Sequence, residues 1–300
     1  MAVTPLTNRP VPPNSDPHRA MFVWVGATAA LDPLDTDSDQ QAVMTHCGAV
    51  GCNVLFLDMW RYLGGANWTS TKVTRMKQFL DLAHRSGIKV YALAGDLGWG
   101  QNHAWVMKNI IEPLCAYNAL CQYASQQFDG IVLDVEYWAD EGTYPPAQHL
   151  PGLCDLIAAI RWRGDYKLAV GVFAAFFLKD NTSSRPLIAY KGKSAQDGEH
   201  LMDAADFVVV GSYRDTSAEQ IALAQPWYDY ASQVGKNVGG LYVGAETIDV
   251  QPSNITYFGQ GKAFMETQFA SISAAFKVPT NSAYVGIAVH NYDGWKAMGA

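Results

Sequence analysis

Along the chain, apolar runs of six or seven residues alternate with longer stretches whose apolar positions recur every three to four residues. The runs at 21–26, 53–58, 89–94, 130–136, 167–173, 207–213, 238–244 and 284–290 are rich in β-branched or aromatic residues. Several are bounded by Gly or Asp, and each predicts a strand. The stretches between them predict helices. Residues 37–49 follow a run of Asp and Ser able to cap a helix. Over 70–86, Val73, Met76, Phe79, Leu80 and Ala83 share one face, and Gly87 stops the helix. The longest, 103–126, contains Pro113, which should kink or divide it. Further helices fit 150–162, 195–204, 217–234 and 261–276.

Eight strand units separated by about seven helices predict an α/β fold, the (β/α)8 TIM barrel. The alternative is a doubly wound open sheet. That fold usually carries a Gly-rich first turn, and no GxGxxG or GxxxxGK[ST] follows a strand here. Residues 1–19 read as a flexible lead-in and 20–300 as a single barrel domain without an internal linker. Only about ten residues follow the last strand, so the final helix should be short or missing.

Composition narrows the function. The chain has 300 residues, with 28 acidic against 21 basic side chains and a formal net charge of −7. No basic field points to nucleic acid, and no apolar stretch is long enough for a membrane span. The proline-rich N-terminus lacks the apolar centre of a signal peptide. Three sequons, at Asn67, Asn181 and Asn254, nudge the expectation toward a secreted or periplasmic protein, with the cytoplasm as the alternative. A monomer is expected. Five cysteines (Cys47, Cys52, Cys115, Cys121 and Cys154) leave at least one thiol unpaired, the rest being buried thiols or one or two disulfides. No HxH follows strand one, no HExxH occurs and no CxxC exists, so no metal or other cofactor is expected.

In a barrel of this kind the site lies at the C-terminal ends of the strands. Those ends supply Asp58 and Trp60, Trp99, the run Asp134, Glu136, Tyr137 and Trp138, then Phe173, Tyr213, Glu246, and finally His290, Tyr292 and Trp295. Carboxylates mixed with aromatic rings at one rim suit a sugar, because rings stack on pyranose faces while acids handle the glycosidic oxygen. Strand four is the most informative. With a period of two, Ile131, Leu133 and Val135 face the helices, while Gly130, Val132, Asp134 and Glu136 face inward. Two carboxylates about 6–7 Å apart in a partly buried site repel when both are ionised, so one should hold its proton. Arg61 and Arg214 are the cations that could instead neutralise the pair.

This segment resembles the signature of family 18 glycoside hydrolases, the chitinases and endo-β-N-acetylglucosaminidases, whose fourth strand carries DGxDxDxE. Asp129, Gly130, Asp134 and Glu136 match it, and Val132 replaces the middle Asp. The Glu136–Tyr137 pair is more similar to the endo-β-N-acetylglucosaminidase branch. The resemblance implies that Glu136 protonates the leaving oxygen. Asp134 would orient the substrate's N-acetyl group and stabilise an oxazolinium ion formed by the substrate's own acetamide. A tyrosine at the end of strand six, often in MxYD, would bond that acetamide. Gly211-Ser212-Tyr213-Arg214 is similar at Tyr213 and has Arg214 in place of the Asp. The aromatic floor from strand eight would be His290, Tyr292 or Trp295. The expected function is therefore hydrolysis of β-linked N-acetylhexosamine glycans, with an oligosaccharide or polysaccharide as the partner. Two rivals remain. One is a retaining glycosidase using Glu136 and Glu246 on a non-acetylated polysaccharide; the other is a non-catalytic carbohydrate-binding barrel.

Overall fold

The computed structural model describes residues 18–25, 32, 34–59, 69–163, 168–182, 184–234, 240–277 and 283–299. Side-chain alternation decides its architecture. On successive strand positions Val54 and Phe56 enter one apolar cluster while Leu55 and Leu57 enter another. Val132 likewise joins the first cluster, and Ile131, Leu133 and Val135 join the second. A sheet with two apolar faces must be covered on both, which the closed barrel achieves with its lumen and its helical jacket.

The barrel strands are β1 (His18–Val23), β2 (Val54–Asp58), β3 (Lys89–Ala94), β4 (Gly130–Leu133), β5 (Ala169–Ala175), β6 (Phe207–Gly211), β7 (Gly240–Glu246) and β8 (Tyr284–His290). All pair in parallel in chain order, and β8 closes on β1. The expected barrel is therefore the observed one. A short antiparallel hairpin, Ile188–Tyr190 with Lys193–Ala195, is inserted between β5 and β6. The lumen is filled by Phe22, Phe56, Tyr91, Phe173, Phe207 and Tyr242, with Phe56 and Phe207 stacked at 5.9 Å between centroids. Each such ring contributes about 1.5–3 kcal/mol by leaving water.

Differences from expectation have local causes. β1 begins at His18, three residues earlier than the apolar run. Its first residues are polar because they tie the base of the barrel together: Arg19 bonds Asn53 Oδ1 through its backbone N–H at 2.9 Å and pairs with Glu266 at 2.9 Å. The helical stretch expected over 103–126 is divided into His103–Val106, a π-helical turn Met107–Ile111 and Glu112–Leu120. Pro113 cannot donate a backbone hydrogen bond, and the turn before it widens. The chain then leaves the helix at Cys121, and Asn118 anchors the entry to β4 by bonding both the N–H and the C=O of Phe128. The helix expected at 150–162 starts earlier, at Pro146, since proline suits the first helical turn. The last helix, Tyr292–Ala297, is short as expected. All five cysteines are buried free thiols, so the disulfide alternative is not realised.

No helix among the described residues is long and apolar enough to cross a membrane.

Candidate active site

The ladder of β4 ends at Leu133, yet the alternation continues beyond it. Asp134 still donates its backbone N–H to Ala94 O at 3.1 Å. Gly95 makes this approach feasible, because a Cβ there would lie 1.8 Å from the carbonyl oxygen of Asp134. Val135 turns outward into the jacket, which leaves Asp134 and Glu136 on the lumen side. The chain then departs into the 3₁₀ turn Tyr137–Asp140.

The two carboxyls interact directly. Burial first, and then the charge of Glu136, push the Asp134 carboxyl up to about 7. Burial likewise raises Glu136, against an opposing pull from His290. The pair therefore favours holding a proton above the ordinary carboxylate range. Asp134 Oδ1 is buried and has no hydrogen-bond partner among the described residues.

Tyr213, just beyond β6, joins this pair. Its ring lies 6.0 Å from Phe173 and 6.2 Å from His290. Gly244 makes room for it, as a Cβ there would stand 3.1 Å from the Tyr213 ring. Burial, followed by the charges of Glu246, Asp134 and Glu136, holds its phenol well above the usual range. The hydroxyl thus stays protonated and can donate.

Glu246 and His290, at the ends of β7 and β8, form a fixed unit. Glu246 Oε1 accepts the backbone N–H groups of Thr247 at 2.8 Å and Ile248 at 2.9 Å, and Oε2 meets His290 Nδ1 at 2.9 Å. On its other side, His290 Nε2 meets the indole Nε1 of Trp24 at 2.8 Å. An indole nitrogen can only donate, so Nε2 accepts and the proton sits on Nδ1, donated to Glu246. Trp24 was not among the expected site residues. It follows Phe22 by two positions and so shares its inward face, which the sequence could have revealed.

Asp58 closes the ring of carboxylates at the end of β2; its Oδ2 accepts the backbone N–H of Val25 at 3.3 Å. Trp138 bridges the lumen and the jacket, 6.3 Å from Phe173. The structure thus brings Asp58, Asp134, Glu136, Trp138, Phe173, Tyr213, Glu246 and His290 together, with Trp24 added.

Four expected sugar contacts lie elsewhere. Trp99 is 2% exposed, Tyr137 0%, Tyr292 2% and Trp295 0%, and all four pack in the jacket. Tyr137 donates to Asp197 at 2.6 Å and stacks on His149, while Tyr292 and Trp295 meet the edge of His46. Positions just beyond a strand turn outward as readily as inward once the ladder has ended, so these rings serve packing instead. Trp60 lies outside the described residues.

Among the described residues no group of three or more His, Cys, Asp or Glu could hold a metal ion. What the arrangement offers is a proton-sharing carboxyl pair, a neutral phenol donor and partly exposed indole rings around one hollow.

Neither a protein-family model nor a curated relative matches the sequence. Among solved structures the chain is similar to a family 18 chitinase from Pseudoalteromonas aurantia, with a TM-score of 0.54 at 12% identity, over 93% of this chain and 98% of that one. It is similar to a modular endo-β-1,4-mannanase from Cellulomonas fimi, with a TM-score of 0.56 at 11% identity, over 94% of this chain and 66% of that one. An endoglucanase from Pseudomonas stutzeri gives a TM-score of 0.51 at 11% identity, over 91% and 85%. At such identities the likeness is one of fold: this chain shares the (β/α)8 barrel of those three proteins.

Proposed function

We propose that this protein is a glycoside hydrolase that cleaves β-linked N-acetylhexosamine glycans with retention of configuration. The observation that carries the reading is the Asp134–Glu136 pair on the lumen side at the end of β4, where the buried Asp134 Oδ1 has no hydrogen-bond partner among the described residues. On this reading that oxygen would accept the N–H of a substrate acetamide. Tyr213 would donate its hydroxyl to the same acetamide.

Donation of the acetamide N–H to Asp134 favours its ionised form and leaves the pair's proton on Glu136. In the first step the acetamide oxygen attacks C1, the C1–O bond breaks, and Glu136 passes that proton to the departing oxygen. The positive oxazolinium ring then lies against the ionised Asp134. In the second step water adds to C1, gives its proton to Glu136, and restores the acetamide. Stacking surfaces for the sugar come from Trp24 and Trp138. The chitinase named for one structural neighbour accords with this substrate class.

The rival with Glu246 as nucleophile has less support. Both Glu246 oxygens are already engaged by two backbone N–H groups and His290, which suits a positioning role.

Hydrolysis of chitin oligomers, N-glycans, mannan and cellulose by the parent and Glu136→Gln tests the reading, alongside inhibition by N-acetylglucosamine thiazoline. A loss of about 10²–10⁴-fold in the variant, with inhibition by the thiazoline, is expected. Near-parental turnover by Glu136→Gln overturns it. So does cleavage confined to non-acetylated glycans with an inert thiazoline.

A further inference from the structure

Arginine usage among the described residues has one exception. Arg19, Arg75, Arg85, Arg161, Arg163 and Arg185 each hold a carboxylate within 3.6 Å. Arg214 has no such partner among the described residues. It directly follows Tyr213, at the rim where β6 ends. Its Nη1 donates to the carbonyl of Tyr213 at 2.6 Å. Its guanidinium carbon lies 5.4 Å from the ring centroid of Phe176. Phe176 follows β5 immediately, and β5 and β6 are neighbours with Ala175 opposite Gly211.

This geometry leaves the group ready for an anion. A guanidinium carries five N–H donors, and the contact with Tyr213 uses one of its nitrogens. The Phe176 ring attracts the cation without taking any of its N–H donors. The adjacent acid makes no ion pair with it, and Asp215 Oδ2 instead accepts from Gln260 Nε2 at 3.0 Å. Arg214 is half-buried, so its fork is neither sealed in the protein nor fully dispersed in water.

The surroundings sharpen the point. The barrel mouth below this rim carries Asp58, Asp134, Glu136 and Glu246 at its strand ends, and the whole chain has a formal net charge of −7. An anionic glycan would meet repulsion there unless a cation received its charge. A rim arginine with a free, oriented fork does that, and a carboxylate fits it with two parallel N–H···O bonds.

We infer that Arg214 recognises a carboxylate on the sugar adjoining the N-acetylhexosamine, so that the substrate class is an acidic, carboxylate-bearing glycan. The inference rests on the reading of Asp134 and Glu136 given above and names the substrate more narrowly. The carboxylate could belong to a hexuronic acid or to a lactyl ether; both present the same group to the fork.

Calorimetric binding to the Glu136→Gln protein separates these sources. The probes are four tetrasaccharides: neutral chitotetraose, a hyaluronan fragment, a peptide-free peptidoglycan fragment and a sulfated chitotetraose. One of the two carboxylate glycans should bind about 10–100-fold more tightly than chitotetraose. Adding Arg214→Gln should erase that gap while leaving chitotetraose unchanged, and Arg214→Lys should restore part of it. Equal binding of all four, a preference for the sulfated chain, binding of none, or a gap that survives Arg214→Gln overturns the inference. Turnover of the same glycans by parent and Glu136→Gln is read separately. An anion preference tied to Arg214 with turnover indifferent to Glu136 sinks the acid assignment and leaves the charge recognition standing. Loss of turnover in Glu136→Gln without any anion preference does the reverse.

Discussion

Trp24 and His290 meet at the lumen with their rings 71° apart, the indole N–H donating to Nε2 at 2.8 Å. This contact, with Glu246 on the far side of the imidazole, fixes one tautomer and one ring orientation. Trp24→Phe keeps an aromatic surface but removes the donor. Its kcat/KM on the best glycan should fall about 2–10-fold, the worth of one hydrogen bond, with the circular-dichroism spectrum unchanged. An unaltered kcat/KM would show that His290 needs no such restraint.

The acid pair predicts an unusual pH dependence of stability. Asp134 is held up to about 7 by burial and by the neighbouring Glu136 charge. Below the ordinary carboxylate range, folded and unfolded chains both carry the proton. Between that range and about 7 the folded chain keeps a proton that the unfolded chain releases, so stability declines as pH rises. Asp134→Asn removes this contribution. The variant should be more stable than the parent by ~2–4 kcal/mol near pH 8 and equal to it near pH 4, by denaturant titration. Parallel profiles at the two pH values would contradict the shared proton.

Tyr137 sits next to Glu136 in the chain but points the other way, into a buried knot. Its hydroxyl and Arg185 Nη2 both bond Asp197 Oδ2, at 2.6 and 3.0 Å. Asp197→Asn leaves Arg185 without its buried counter-charge and should cost about 3–5 kcal/mol in urea denaturation. Tyr137→Phe should cost about 1.5–3 kcal/mol and lower kcat more than it raises KM, because the backbone presenting Glu136 loses an anchor. A change confined to KM would place Tyr137 among sugar contacts after all.

Gly95 is the narrowest point under the site. A methyl group there meets the Asp134 carbonyl at 1.8 Å, so Gly95→Ala must push the end of β4 away from β3. Turnover should drop at least about tenfold, with a destabilisation of about 1–3 kcal/mol. Retention of both would mean that β4 has slack there.

Thiol chemistry offers an independent check of the packing. All five cysteines are buried and free, and burial raises the Cys52 and Cys154 thiols, the latter to about 12. Ellman's reagent should leave the native protein unreacted and titrate all five thiols in denaturant, and reductant should not shift Tm.

The barrel was legible because strand runs and helical periodicity are local signals, and the inward register of Asp134 and Glu136 followed from simple alternation. Legibility failed where alternation stopped. Tyr137, Tyr292 and Trp295 lie just past strand ends, and their direction depends on turns and on distant partners such as Asp197 and His46. Trp24 was missed for the opposite reason. Its stretch is wholly apolar, so the two-residue spacing from Phe22 was the one sign of an inward face. Arg185 gave no sign either, because its partners Asp197 and Glu141 are joined to it only by the fold.

Phe56, Tyr91, Phe207 and Tyr242 crowd the barrel axis with ring centroids 5.2–6.1 Å apart. The hollow above them is consequently a dead end. On the proposed reading, a long glycan would lie across the mouth rather than thread along the axis, and both fragments would leave by the route of entry.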